Sequence, residues 1–84
     1  MDFVLDGNAI AGDLFAAFGR EMTAAIGRCR NCGASSTVAQ LRVYTRAPGA
    51  VARCSSCDAV VIVVVTIAGE GHVHLPALEL EEPV

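Results

Sequence analysis

The chain has 84 residues, of which 54% are hydrophobic and 18% charged, and its formal net charge is −3 at pH 7. A chain of this length forms one small domain that buries only about 60% of its unfolded surface, so a metal or disulfide often decides its stability. The composition excludes a disordered chain, and no apolar run approaches the ~18 residues of a membrane-spanning helix.

The first predicted element is a helix near the N-terminus. The segment Asp6–Asn8 offers N-cap residues, apolar side chains recur at helical spacing up to residue 18, and Gly19 is a suitable stop. Because so short a helix is marginal alone in water, we expect its apolar side, with Phe15 and Phe18, to dock on the rest of the chain. An arm that binds a partner is the alternative. The acidic start lacks the basic segment of a secretory signal, which predicts a cytoplasmic protein.

Two CxxC pairs contain all four cysteines, and 21 residues separate the pairs. Each short turn places two sulfurs on one side of the chain, and two such knuckles complete a tetrahedral zinc site. The spacing therefore predicts one structural Zn²⁺ on Cys29, Cys32, Cys54 and Cys57. A rubredoxin-like site with one iron on the same thiolates is the alternative, and redox or disulfide pairs are a third interpretation.

The residues next to the cysteines fit this interpretation. Gly33 and Asp58 follow the second cysteine of each pair, where we expect a left-handed backbone. Arg28, Arg30 and Arg53 flank the pairs and would offset the net charge of −2 of a four-thiolate zinc site.

Several β-strands are predicted around the knuckles. An extended segment leads into the first knuckle, and a later pair of strands is joined by a turn with Pro48-Gly49. The valine-rich segment after the second knuckle is typical of a strand that is buried on both faces. In chain order, the predicted segments are an extended stretch at 22–28, a strand at 38–44, a turn at 45–49, strands at 50–54 and 59–68, a turn at 69–71, and a strand at 72–80 that Pro76 interrupts.

This order predicts a small metal-stabilised α+β fold. We expect residues 23–84 to form a zinc ribbon of two CxxC knuckles and antiparallel β-hairpins, and residues 1–22 to form an N-terminal helical arm that packs on it.

Four segments also resemble a family of small bacterial zinc-ribbon proteins that is described as a domain of unknown function. The likeness extends from about Leu5 to Leu80, implies a zinc-binding fold and implies no activity. It gives the ligand role to the same four cysteines. The segments that carry it are Asp6-Gly7-Asn8-Ala9 with the following helix, Gly27–Gly33, Val43-Tyr44-Thr45 with Ala47-Pro48-Gly49, and Arg53–Val60.

Two further groups of residues are candidate binding sites. Arg42, Tyr44 and Arg46 form a basic and aromatic patch. It lies within residues 20–57, which contain six arginines and one acid, Glu21, so that this segment has a net charge of 6 − 1 = +5. Since the whole chain is at −3 with one tyrosine, we expect this patch to contact an acidic protein rather than nucleic acid.

His72 and His74 would share one face of a strand. A second metal site there would need another ligand, such as Glu70 or Glu79, so we interpret the pair as an ordinary solvated face.

The expected function is that of a non-catalytic zinc-binding ribbon. The chain has no serine–histidine–acid spacing and no phosphate-binding loop, so we expect no enzyme. It would present a surface to another protein, with a homodimer as one form of this contact. The alternatives are a one-iron electron carrier and a nucleic-acid-binding ribbon.

Overall fold

The computed structural model describes residues 4–46 and 49–81 as an α+β fold with antiparallel sheets. The one α-helix of these residues, α1 (Ala11–Phe18), follows a 3₁₀ turn at Gly7–Ile10, and a second 3₁₀ turn covers Val38–Gln40. The strands are β1 (Val4–Asp6), β2 (Ile26–Cys29), β3 (Ser35–Thr37), β4 (Arg42–Arg46), β5 (Gly49–Arg53), β6 (Val60–Ile67), β7 (Glu70–His74) and β8 (Leu78–Glu81).

The strands form two sheets. A five-stranded sheet has the order β1-β4-β5-β6-β7, and a three-stranded sheet has the order β3-β2-β8. The predicted last strand is interrupted at Pro76, as expected, because β7 and β8 pair in different sheets. Proline cannot donate to a strand ladder, so the break allows the chain to leave one sheet and enter the other.

The helical segment formed by the 3₁₀ turn and α1 has the predicted residues at its two ends, although α1 itself begins after Ile10 with no side-chain cap. The carboxylate of Asp6 accepts a hydrogen bond from the backbone N–H of Asn8 at 3.0 Å, and the chain then enters the 3₁₀ turn. Gly19 ends the helix with φ = 74°, and its N–H donates to the carbonyl of Phe15 at 2.8 Å. Glycine adopts this left-handed conformation without steric cost.

The helix docks on the core mainly through Ile10 and Leu14. These residues are 1% and 2% exposed, whereas Phe15 and Phe18 are 54% and 39% exposed. Residues 10 and 14 share a helix face that meets the sheet, and Phe18 lies at its edge, where it lines the same apolar space as Leu14 and Ile62. The expected docking is therefore wrong for Phe15 only.

The valine-rich strand is fully buried on one face only, which corrects the prediction of two buried faces. On β6, Ile62 and Val64 are buried, but the alternating residues Val63 and Val65 are only half-buried. Ile10 and Leu14 pack on the Ile62 and Val64 side, so the helix covers one side of this sheet. A bulge opposite Arg53 adds Val61, which is buried as well.

Several predicted segments have different bounds in the structure. The stretch predicted to be extended over 22–28 contains a turn at positions 23–25, and β2 begins only at Ile26. The strand predicted over 38–44 begins only at Arg42, because Val38–Gln40 is a 3₁₀ turn in which the side chain of Gln40 accepts from the N–H of Thr37 at 3.1 Å. Of the turn predicted over 45–49, the outer residues belong to β4 and β5, and positions 47–48 lie outside the described residues. The turn predicted over 69–71 lies at Ala68 and Gly69.

No helix among residues 4–46 and 49–81 combines the length and the apolar character that a membrane crossing needs.

Candidate metal centre

The first CxxC loop turns back on itself directly after β2. The N–H of Cys29 donates to the carbonyl of Ala34 at 2.9 Å, and the N–H of Gly33 donates to the carbonyl of Cys29 at 2.8 Å. Gly33 has φ = 79°, as the sequence predicts. This closed turn brings the side chains of Cys29 and Cys32 to the same side of the chain.

The second CxxC loop repeats this hydrogen-bond pattern after β5. Cys54 donates to Ala59, and Asp58 donates to Cys54, both at 2.9 Å between backbone nitrogen and oxygen. Asp58 takes the place of the glycine, with φ = 64°, so the left-handed backbone expected there is confirmed. The backbone N–H of Ser56 also points to the sulfur of Cys54, with 3.4 Å between the two atoms.

The four sulfur atoms lie close together in space. The Sγ atoms of Cys29 and Cys57 are 3.6 Å apart, those of Cys32 and Cys54 are 3.7 Å apart, and all four lie within 4.8 Å of one another. A tetrahedron with metal–sulfur bonds of ~2.3 Å has edges of about 3.8 Å, so the arrangement fits one metal ion. The two short distances each join sulfurs of different loops, and all four cysteines are free thiols.

The two loops belong to different sheets. The first follows a strand of the three-stranded sheet, and the second follows a strand of the five-stranded sheet. Cys29 and Cys54 are buried, Cys57 is half-buried and Cys32 is exposed. A metal ion bound to all four would therefore connect the two sheets at the edge of the core.

The polar groups around the sulfurs separate the acidities of the thiols. Asn31 donates its side-chain N–H to the sulfur of Cys57 at 3.4 Å, and this bond, assisted by other neighbours, lowers the pKa of Cys57 to about 6. At Cys32, a hydrogen bond from the backbone of Ala34 lowers the pKa, but partial desolvation of the sulfur and the three neighbouring thiols outweigh it and raise the pKa to about 11. Without a metal, Cys57 therefore loses its proton more readily than Cys32.

Asn31 is the functional neighbour that the sequence analysis missed. It is one of the two residues between Cys29 and Cys32, and it contacts Cys57 of the opposite loop rather than a cysteine of the same loop. Only the mutual placement of the two loops creates this contact, so the spacing of the cysteines could not indicate it.

The three flanking arginines have separate environments. Arg53 donates to the carbonyl of Asp58 at 2.9 Å and lies 3.8 Å from its carboxylate, which ties β5 to the second loop. Arg30 lies 3.9 Å from the carboxylate of Glu79, and both residues line an open cavity of about 300 Å³ beside the first loop, together with Arg28. Two of the three positive charges are thus already close to acids.

The other candidate residues form no comparable site. Arg42 is exposed and Tyr44 is half-buried, with the guanidinium of Arg53 5.9 Å from its ring centroid. Arg46 ends β4, and its side chain lies outside the described residues. His72 and His74 are exposed on β7, and within residues 4–46 and 49–81 the cysteine cluster is the one group of three or more potential metal ligands.

Comparison with known proteins gives a family but no activity. A family model described as "Family of unknown function (DUF6510)" matches residues 1–81, so the chain belongs to this family. No curated protein and no solved structure matches the chain.

Proposed function

We propose that this member of the DUF6510 family is a non-catalytic zinc-ribbon protein. In this proposal, one structural Zn²⁺ is bound by Cys29, Cys32, Cys54 and Cys57. The observation that carries it is the convergence of four free thiols from two loops at distances that suit a tetrahedral site. Four protein ligands leave no open coordination position for a substrate, which supports a structural metal over a catalytic one. Thiolate ligands persist in a reducing compartment, so we propose the cytoplasm as its location.

The role of the zinc would be to hold two small sheets together. The three-stranded sheet contains strands of only three or four residues, which contribute little stability alone. Structural zinc sites contribute about 10–16 kcal/mol of apparent binding free energy, which exceeds the whole stability of many small domains. Folding of the chain would therefore depend on the metal.

A mutation in one ligand tests this role. The variant Cys29→Ser should lose its zinc and most of its folded structure, because one ligand of the tetrahedron is weakened. Ser55→Ala in the opposite loop is a matched control, since Ser55 is exposed and is no ligand. Metal content by mass spectrometry and thermal unfolding by circular dichroism measure both effects. Cooperative unfolding of Cys29→Ser near the wild-type temperature would contradict a structural metal.

The same measurement distinguishes zinc from iron. A colourless protein with one zinc per chain is expected. Iron with visible thiolate-to-metal absorption in protein from its native host would favour an electron carrier instead.

We further propose that the ribbon acts through contact with protein rather than nucleic acid. Two of the described arginines lie close to acids, Arg30 beside Glu79 and Arg53 beside Asp58, which reduces the positive charge that they could offer to phosphates. Nucleic-acid binding depends on a continuous basic surface and falls steeply with salt. Mobility-shift assays at low salt should therefore detect no binding of RNA or DNA; salt-sensitive binding would refute this part of the proposal.

A further inference from the structure

One side of the five-stranded sheet carries an apolar surface that no described element covers. We call it the valine face. Antiparallel partners project to the same side of a sheet, and the register Val4↔Tyr44↔Val51↔Val63↔His74 places these five residues in one row across the sheet. Its apolar members are Val4, Tyr44, Val51, Val63, Val65 and Ile67.

The burial of the two sides of the sheet differs. On the helix side, Ile62 and Val64 are 1% and 3% exposed, whereas Val63 and Val65 beside them on the same strand are only half-buried. At the margins of the valine face, Val4 and Ile67 are 55% and 59% exposed. The solvated side of an antiparallel sheet usually carries polar residues, as the margins of this face do, so the valines on its inner strands β5 and β6 are unusual for a surface that faces water.

We propose that a second copy of this chain covers the valine face, so that two five-stranded sheets pack face to face in a symmetric dimer. This inference rests on the proposed protein-contact function and names the partner. Sheets that pack in this way bury the alternating residues of their inner faces, and the valines of β5 and β6 have this pattern. With a partner sheet in place, β6 would be buried on both sides, as its sequence favours.

The charges of the valine face favour a second copy over an acidic partner. Arg42 and Arg53 lie at one end of the face together with Asp6, Glu70 lies at the other end, and His72 and His74 lie along the β7 edge. The margins of the face therefore carry groups of both signs around the valines of β5 and β6. A symmetric interface sets one patch against itself, so margins of both signs around an apolar centre suit it, whereas an acidic partner would favour a face of one sign.

The area is sufficient for a dimer of modest affinity. Five strands at about 4.8 Å spacing span roughly 24 Å, and their lengths range from three residues in β1 to eight in β6. Two such faces would bury on the order of 1,000 Å², which is at the lower limit for a specific interface. We therefore expect a dimer that dissociates on dilution.

Substitutions on two different surfaces test the proposal. Val63→Arg places a charge at the centre of the valine face, whereas Phe15→Arg places the same charge on the exposed side of the helix. Sedimentation velocity and light scattering should give twice the chain mass of 8.7 kDa for the wild type and Phe15→Arg, and 8.7 kDa for Val63→Arg. The milder variant Val63→Thr keeps the size of the side chain and should weaken the dimer at least about ten-fold.

The outcomes separate this inference from the zinc proposal. Zinc content and thermal unfolding are measured on the same samples, so a misfolded variant is recognised and Val63→Thr then decides. A wild-type chain that is zinc-loaded but monomeric up to ~0.5 mM would overturn the dimer and leave the zinc proposal standing. A folded Val63→Arg or Val63→Thr that dimerises as the wild type does would overturn the placement of the interface on the valine face. A monomeric Phe15→Arg would overturn the assignment to the valine face. A wild-type chain that folds without metal would instead refute the structural zinc.

Discussion

Replacing Leu14 by alanine tests whether the N-terminal helix is part of the core. Leu14 is 2% exposed, and its surroundings, which include Met22 and Ile62, leave no space for a water molecule. Truncation of a buried leucine to alanine costs about 2–5 kcal/mol, and the flexible side chain of Met22 can fill part of the void. We therefore expect Leu14→Ala to lower the free energy of unfolding by ~3 kcal/mol, which corresponds to a fall in Tm of roughly 12–24 °C for a domain of this size.

The matched control is the neighbouring residue Phe15. Because Phe15 is 54% exposed, Phe15→Ala should change the free energy of unfolding by less than about 1 kcal/mol, although it removes a larger side chain. Urea unfolding at a fixed zinc concentration measures both, with Tyr44, the single tyrosine of a chain without tryptophan, as the fluorescent probe. Equal losses in the two variants, or a loss below about 0.5 kcal/mol for Leu14→Ala, would refute the docking of the helix through Leu14.

Three further predictions concern the glycines and the thiols. Gly7→Ala should unfold the protein at lower urea, because its new Cβ would lie 1.9 Å from a carbonyl oxygen, whereas Gly12→Ala should add up to about 1 kcal/mol of stability since nothing lies within 4 Å. Zinc binding at pH 7 should release protons, because Cys32 has a pKa of about 11 and is protonated before the metal binds. Below pH 6 the affinity for zinc should fall, because Cys57, with its pKa of about 6, then binds a proton as well. Zinc titration with a pH indicator measures both effects. Asn31→Ala should speed the transfer of zinc to a chelator, because the charge-stabilising contact with Cys57 is lost.

Each half of the cysteine cluster could be predicted from the sequence because the geometry of one CxxC loop is local. Two sulfurs of one CxxC loop meet through a single turn, and the left-handed positions of that turn are visible as Gly33 and Asp58. The helical segment was predictable for the same reason, since Asp6 caps the 3₁₀ turn that leads into α1, Gly19 ends α1, and each acts within one turn of the chain.

The division into two sheets could not be predicted, because it depends on contacts between distant segments. The short strand Ser35–Thr37 has no clear periodicity, and it is a strand only because β2 pairs with it. The alternating residues from 38 onwards predict a strand, but β4 begins only at Arg42. The hydrogen bond from the N–H of Thr37 to the side chain of Gln40 accompanies a 3₁₀ turn at Val38–Gln40 instead. Alternation along a segment shows which residues share a face, but it does not show which strand lies beside it.

The faces of the larger sheet show most clearly how sequence and structure differ. A run of valine and isoleucine predicts burial on both sides, and the helix supplies cover for one side only, through Ile10 and Leu14. The metal cannot supply the rest, because the cysteines lie where the two sheets meet and their loops leave Val51 and Val63 half-buried. The two unusual features of this chain thus answer separate needs. The four thiols would join the small three-stranded sheet to the larger one, whereas the proposed second copy would cover the valine face, which is why we expect metal content and oligomeric state to vary independently among the variants.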